Sequence, residues 1–195
     1  MAKKIAIVGK GPTSVLAPFR DREWEIWGLA WVSYPREDKT FDPHSPGYCD
    51  NDPELQRYLA CANAKSIPVI GFTDGPYAQN VPYPFKEVFA KFGYYFESSI
   101  AYLLAQALLE DTDEIGLWGV HMETRTEYAE QKANLEYLIG YGRGMGKKIT
   151  VCPGAPLMMS VWQAGRYGVD LKHRWKGDLS PENGTTPATT QILEG

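Results

Sequence analysis

Cysteine and histidine are both scarce in this chain of 195 residues. Its three cysteines, Cys49, Cys61 and Cys152, form no C-x-x-C pair, and its three histidines show neither H-x-x-H nor H-E-x-x-H spacing. An odd number of such cysteines argues against a disulfide framework, and the missing spacings argue against a structural zinc site. We therefore expect free thiols and neither a metal nor another cofactor.

A long apolar run and an excess of charge are also missing. No stretch approaches the ~20 apolar residues that a membrane span needs, and the N-terminal MAKKIAIVGKG is short of apolar residues for a signal peptide. The formal net charge of −4 gives no general attraction to nucleic acid. These absences predict a cytoplasmic protein without a membrane span that binds a small ligand, and they leave homo-oligomer formation open.

Short apolar runs alternate with amphipathic segments along the chain. This alternation, with no internal repeat, predicts a single α/β domain of Rossmann-like type whose mainly parallel sheet is flanked by helices. The domain is predicted to span 1–175, and the Gly-, Pro-, Ser- and Thr-rich segment 176–195 to be a flexible or draped tail. Predicted strands lie at 3–8, 24–31, 67–72, 114–119 and 147–152; predicted helices lie at 52–64, 85–92, 98–110 and 124–141, with glycines 140–146 ending the last and Pro153 opening another.

A glycine turn follows the first predicted strand directly. It consists of Gly9, Lys10, Gly11, Pro12, Thr13 and Ser14. Glycines after a strand allow a tight turn, so that N–H groups and hydroxyls can face a phosphate at a helix start. The full dinucleotide fingerprint would place a glycine at Ser14 and an acidic residue at the end of strand two, which argues against NAD. Alternatively, the glycines only make a sharp turn.

Three titratable residues follow predicted strands and are candidate catalytic groups. His44 lies in the loop after strand two, and His121 and Glu123 follow the strand that ends near Gly119. An imidazole can accept or donate a proton near neutral pH, and a nearby carboxylate can orient it. The alternatives are a surface-loop histidine at 44 and a helix-capping role for Glu123. Ser98 and Ser99 open a predicted helix, where capping explains them better than ligand binding.

Three sequence blocks, taken together, resemble a known family. The blocks are IVGKGPTS, YYFESSIAYLLAQALLEDTDEIGLWGVHM and ITVCPGAPLM, and they lie within residues 3 to 160. In order and spacing they are similar to bacterial sialyltransferases of the lipooligosaccharide type and to related phage-borne proteins. The counterparts there are a strand ending in G-N-G-P-S, a strand ending in G-I-D-F and a strand ending in C-P-N-S.

This resemblance implies a transferase that holds a nucleotide-activated sugar at the first turn and at the ends of later strands. Gly9, Gly11, Pro12 and Ser14 inherit the nucleotide-binding role, together with Gly119 and Pro153. The chain departs from the family at Lys10 and at His121, which replace an asparagine and an aspartate, and at Gly154-Ala155. The family histidine between the last two blocks has no counterpart, since residues 122–151 contain no histidine. His44 or His121 would have to substitute.

The sequence therefore predicts a glycosyltransferase-like enzyme that transfers a sugar from a nucleotide-activated donor. The acceptor is undetermined and could be a glycan, a DNA base or a metabolite. Two alternatives remain: a non-catalytic protein that sequesters a nucleotide, and a nucleotide or nucleoside hydrolase that uses Glu123 or Glu127.

Overall fold

The computed structural model describes residues 4–44, 52–72, 74, 77–122 and 128–158. Within them the chain forms a seven-stranded sheet and four α-helices. The strands are β1 (Lys4–Val8), β2 (Trp24–Leu29), β3 (Lys39–Asp42), β4 (Val69–Gly71), β5 (Asn80–Pro82), β6 (Glu114–Trp118) and β7 (Lys148–Val151). The helices are α1 (Pro53–Ala64), α2 (Phe85–Phe92), α3 (Ser99–Leu109) and α4 (Tyr128–Gly144), and Pro12–Leu16 forms a 3₁₀ segment after β1.

The sheet is parallel throughout and has the order β5-β4-β3-β2-β1-β6-β7. β1 lies in the interior of the sheet, and β2 to β5 are added one after another on one side of it. The chain then crosses back to the other side of β1, where it adds β6 and β7. The strand order reverses between β1 and β6, where Ile5 lies opposite Ile115. In open α/β sheets such a switch point is where ligands bind. The predicted single Rossmann-like α/β domain is confirmed, while the boundary at 175 and the tail lie outside the described residues.

One face of the sheet packs on α2, α3 and α4 in a large apolar core. Ile5 and Ile7 of β1 point to this face, and Leu103 and Leu104 of α3 meet them with no exposed surface. The sequence begins α3 at this position because the Ser98 side chain accepts a hydrogen bond from the N–H of Ala101. Removing this much apolar surface from water is the main stabilising term of the fold.

The opposite face carries smaller apolar clusters and several polar side chains. Ala6 and Val8 of β1 point to this face. The Glu37 side chain lies against Gly28 of β2, where a Cβ would collide with the Glu37 Oε1 atom. Burial raises the pKa of Glu37 to about 7. Tyr58 of α1 donates a hydrogen bond to Glu37 Oε2 at 3.4 Å, and burial raises the pKa of its phenol.

Four details differ from the sequence predictions. β2 ends at Leu29 rather than at 31, because Trp31 adopts a φ of 71° that cannot continue a strand. β3 and β5 were not predicted, and His44 therefore follows β3 and not β2. α4 continues through two glycines to Gly144. Residues 153–158 form turns, so no helix begins at Pro153.

Candidate functional site

A cleft of about 730 Å³ opens at the carboxyl ends of the strands around the switch point. We call it the switch-point cleft. Its floor comes from the last residue of β2 and from residues after β1, β3 and β6, and its upper wall comes from the start of α3 and from the residues before it. A volume of this size is typical of small-molecule sites. The lining residues are Gly9, Lys10, Gly11, Leu29, Pro43, Phe96, Glu97, Ser98, Ser99, Ile100, Tyr102, Gly119, Val120, His121, Met122 and Gln131.

The turns after β1 and β6 are hydrogen-bonded to each other beyond the ends of the strands. The N–H of Gly9 donates to Trp118 O and the N–H of Gly11 to Gly119 O, both at 2.8 Å. These two N–H groups are therefore not directed at a ligand, which differs from the expectation that the glycine turn would present them to a phosphate. The backbone of the turn forms part of the cleft floor, and the exposed Lys10 side chain also lines the cleft.

Close contact between the two turns explains their glycines. A Cβ at Gly9 would lie 2.5 Å from Gly119 O, and one at Gly119 would lie 2.6 Å from Gly9 O. Gly119 also has a φ of 66°, which favours glycine. A Cβ at Gly11 would lie 2.8 Å from His121 Cδ2. The three glycines are thus required by the approach of one backbone to the other.

Thr13 connects the 3₁₀ segment to the β6 turn. Its hydroxyl accepts a hydrogen bond from the N–H of Gly119 at 2.9 Å and lies 3.0 Å from His121 Nε2. One ring nitrogen of His121 is therefore engaged with a structural hydroxyl on the cleft floor. The Cys152 thiol lies nearby at the end of β7, and burial raises its pKa. His121 thus braces the turn as well as lining the cleft.

The amino-terminal end of α3 forms part of the cleft wall. Ser98 caps the helix, as predicted, and Ser98, Ser99 and Ile100 all line the cleft. N–H groups in the first turn of a helix carry a partial positive charge and attract anions. The capping role of Ser98 and a position beside a ligand are therefore compatible.

A buried asparagine fixes the segment that precedes α3. Asn134 of α4, which is fully buried, donates through Nδ2 to Tyr95 O at 2.5 Å and accepts from the N–H of Glu97 at 3.2 Å. Phe96, between them, stacks on Tyr102 with ring centroids 4.8 Å apart. The aromatic part of the cleft wall is thus attached to two helices.

A second group of side chains lies at the carboxyl end of β3, beside the cleft. His44 Nδ1 lies 2.6 Å from Asp42 Oδ1, and the Tyr77 hydroxyl donates to Asp42 Oδ2 at 2.5 Å. The His44 ring stacks on Trp31 at 4.5 Å with an angle of 12° between the planes. Pro43, between Asp42 and His44, lines the cleft. We call Trp31, Asp42, His44 and Tyr77 the β3-end cluster.

The structure brings together many of the residues predicted from sequence. Gly9, Lys10, Gly11, Gly119 and His121 line the cleft. Pro12, Thr13 and Ser14 form the 3₁₀ segment beside it, and Pro153 and His44 are not among its lining residues. Glu123 and Glu127 lie outside the described residues.

Sequence reasoning missed Asp42, Tyr77, Gln131 and the Asn134 side chain that holds the segment before α3. Only Asp42 gave a signal, as an acidic residue two positions before a candidate histidine. Tyr77 and Asn134 act through partners that are distant in sequence.

The part of the chain that the structure describes contains neither a membrane-spanning helix nor a metal-binding cluster. There, no helix combines the length and apolar character needed to cross a membrane. In the same residues no three His, Cys, Asp or Glu side chains gather closely enough to hold a metal ion.

The fold is similar to two solved structures of the sialyltransferase CstII from Campylobacter jejuni. The one in complex with the substrate analogue cytidine-5'-monophosphate is 16% identical with a TM-score of 0.50, covering 78% of this chain and 81% of the other. The one in complex with CMP-3FNeuAc is 15% identical with a TM-score of 0.52, covering 80% and 83%. No family model and no curated protein matches the sequence. The remote resemblance to lipooligosaccharide sialyltransferases is thereby confirmed at the level of the fold.

Proposed function

We propose that this chain binds a nucleotide-activated sugar in the switch-point cleft and transfers the sugar to an acceptor hydroxyl. The observation that carries the proposal is the cleft, which combines a suitable volume with an aromatic wall, a helix start and a lysine. Sites for small ligands are mostly apolar with a few convergent polar groups. The position at the strand-order reversal is the one where such folds bind nucleotides.

The two walls of the cleft suit different parts of the ligand. Phe96 and Tyr102 offer aromatic surface to a nucleobase or to a sugar ring. The start of α3, at Ser99 and Ile100, and the Lys10 ammonium offer positive charge to phosphates. These groups replace the N–H donors of the glycine turn, which are used within the protein.

The transfer requires a base near the acceptor. A histidine removes the acceptor proton while the acceptor oxygen attacks the anomeric carbon, and the nucleotide leaves with the electron pair of the broken C–O bond. The leaving phosphate is stabilised by the helix start and Lys10. His44 and His121 are the described histidines at this edge of the sheet. The similar protein's analogues make cytidine nucleotides the first ligands to test.

Calorimetry with CMP, UDP, GDP and ADP tests the binding step. We expect one nucleotide to bind and Gly11→Val to weaken it by about 100-fold or more, because the added side chain would push against His121 and Gly119 O. Gly140→Val is the matched control, since a Cβ there meets nothing within 4 Å. Unchanged affinity in a folded Gly11→Val protein would place the nucleotide elsewhere.

Turnover separates transfer from the alternatives. The corresponding nucleotide-sugar, incubated with a set of oligosaccharides, should release nucleotide only as fast as it forms glycosylated product. Binding without any nucleotide release would instead favour a sequestering protein. Release with water as the sole acceptor would favour a hydrolase.

A further inference from the structure

The hydrogen bond between Asp42 and His44 defines the β3-end cluster. His44 Nδ1 lies 2.6 Å from Asp42 Oδ1, and the backbone N–H of His44 donates a hydrogen bond to the same oxygen at 3.1 Å. The Asp42 side chain is 10% exposed and that of His44 33%. A buried carboxylate therefore holds a ring that is still reachable from solvent. This arrangement favours the tautomer with the proton on Nδ1, which makes Nε2 the basic nitrogen.

Tyr77 fixes the other side of the Asp42 carboxylate. Its hydroxyl donates to Asp42 Oδ2, and its ring is buried against α1. Burial raises the pKa of the Tyr77 phenol further above its ordinary value, so it stays a donor at all physiological pH values. With both oxygens bonded, Asp42 cannot rotate without losing a hydrogen bond. The orientation of His44 is consequently determined by two buried side chains.

Trp31 holds the face of the imidazole. The two rings are nearly parallel, and Trp31 adopts a left-handed backbone conformation with a φ of 71°. A bulky residue in this region is strained, and such strain is concentrated at functional sites. A tryptophan face also attracts a cation, so it stabilises the imidazolium that forms when the ring takes a proton.

His121 differs from His44 in its surroundings. Its Nε2 faces the Thr13 hydroxyl, which in turn accepts the N–H of Gly119, and its Cδ2 is within 2.8 Å of the Cβ position of Gly11. The ring is thus part of the contact between the β1 and β6 turns. In the β3-end cluster, by contrast, a buried carboxylate holds the imidazole ring, and this bond of His44 to Asp42 suits proton transfer.

We propose that His44 is the general base of the transfer reaction and that Asp42 and Tyr77 are its positioning residues; this inference rests on the proposed function. The acceptor enters from solvent and meets the exposed edge of the β3-end cluster, while the donor occupies the cleft beyond Pro43. The acceptor proton passes to His44 Nε2, the acceptor oxygen bonds to the anomeric carbon, and the sugar–phosphate C–O bond breaks with its electrons on the phosphate.

Two measurements test this assignment. Imidazole ¹⁵N NMR on the full chain without ligand reports the tautomer, with the His44 signals identified by their loss in His44→Gln. We expect the Nδ1–H tautomer in the wild type and its loss in Asp42→Asn. Nucleotide release from CMP-sialic acid and from UDP-glucose, with and without oligosaccharide acceptors, reports turnover. Asp42→Asn and His44→Gln should lower kcat by about 10²-fold or more with the donor KM little changed.

Matched controls separate positioning from general stability. Asp38→Asn alters another hydrogen-bonded aspartate, which accepts from the N–H of Ile26. Tyr83→Phe removes another buried phenol, which donates to Tyr102 O. Tyr77→Phe should reduce kcat and lower the fraction of His44 in the Nδ1–H tautomer. Neither control variant should change either quantity.

The outcomes distinguish this inference from the function on which it rests. Full turnover by His44→Gln, or an Nε2–H tautomer for His44 in the wild type, overturns the inference alone. A wild-type protein that binds no nucleotide overturns the proposed function and the inference with it. A wild-type protein that binds a nucleotide but releases none from its sugar derivative does the same.

Discussion

The two faces of the sheet differ in chemistry although the same strands supply both. The face toward α3 and α4 is packed with Leu, Ile, Ala and Phe. The face toward α1 carries Glu37, Thr40, Asp42 and several tyrosines that are buried or partly buried. The first face is built for stability through apolar burial. The second includes the carboxylates of Glu37 and Asp42, each of which accepts a hydrogen bond from a tyrosine hydroxyl, and it ends at the β3-end cluster.

The largest effect that separates the two faces should come from a cavity in the apolar one. Leu104→Ala removes a side chain with no exposed surface, and we expect the free energy of unfolding to fall by about 2–5 kcal/mol. Leu16→Ala makes the same change at a residue that is 62% exposed, and it should shift stability by less than about 0.5 kcal/mol. Urea denaturation measures both. Equal losses would show that the α3 face does not dominate stability.

On the polar face, the protonation of Glu37 should make stability depend on pH. Its pKa rises from 4.5 to about 7 in the folded chain, so between these values the folded state holds a proton that the unfolded state has lost. The free energy of unfolding should therefore fall as pH rises through this window, by at most about 3 kcal/mol, and level off above it.

Glu37→Gln tests that dependence because it mimics the protonated acid. The variant should lose the slope and exceed the wild type in stability at pH 8, as measured by denaturation at pH 5, 6, 7 and 8. Glu23→Gln is the control, since that side chain is 62% exposed. A slope that persists unchanged in Glu37→Gln would assign it to other groups.

A smaller effect is expected where the polar face meets the glycine turn. The Tyr34 hydroxyl, which is buried, donates to Val8 O at 2.8 Å. Tyr34→Phe should cost about 0.5–1.5 kcal/mol, the usual net value of one hydrogen bond. Tyr94→Phe, at a residue that is 83% exposed, should change nothing measurable. Identical melting temperatures for the two variants would mean that the Tyr34 bond adds no stability.

Local sequence patterns predicted the elements whose own residues determine them. β1 and β6 are apolar runs before glycines, and α1 has an aspartate cap with Pro53 in its first turn. β3 was missed because its four residues, KTFD, include two charged ones and show no clear period. β5 has three residues and ends in a proline, which is tolerated at a sheet edge.

The candidate site was only partly predictable, for a different physical reason. Residues at strand ends, such as Gly9 and His121, could be placed because parallel strands share one carboxyl edge. Tyr77, however, is 35 positions from Asp42, and His121 is 108 positions from Thr13. Such pairs depend on how loops are packed, and no spacing in one sequence encodes them. The use of the Gly9 and Gly11 N–H groups within the protein was hidden for the same reason.

The mutual contact of Gly9 and Gly119 has a consequence for the history of the protein. Each glycine leaves no room for a side chain on the other, since a Cβ on either would lie within 2.6 Å of the opposite carbonyl oxygen. A side chain at one position can be accommodated only if the other turn moves. Among diverged relatives, the two positions are therefore expected to change together or not at all. In paired substitutions to alanine, the second change should cost less than the first.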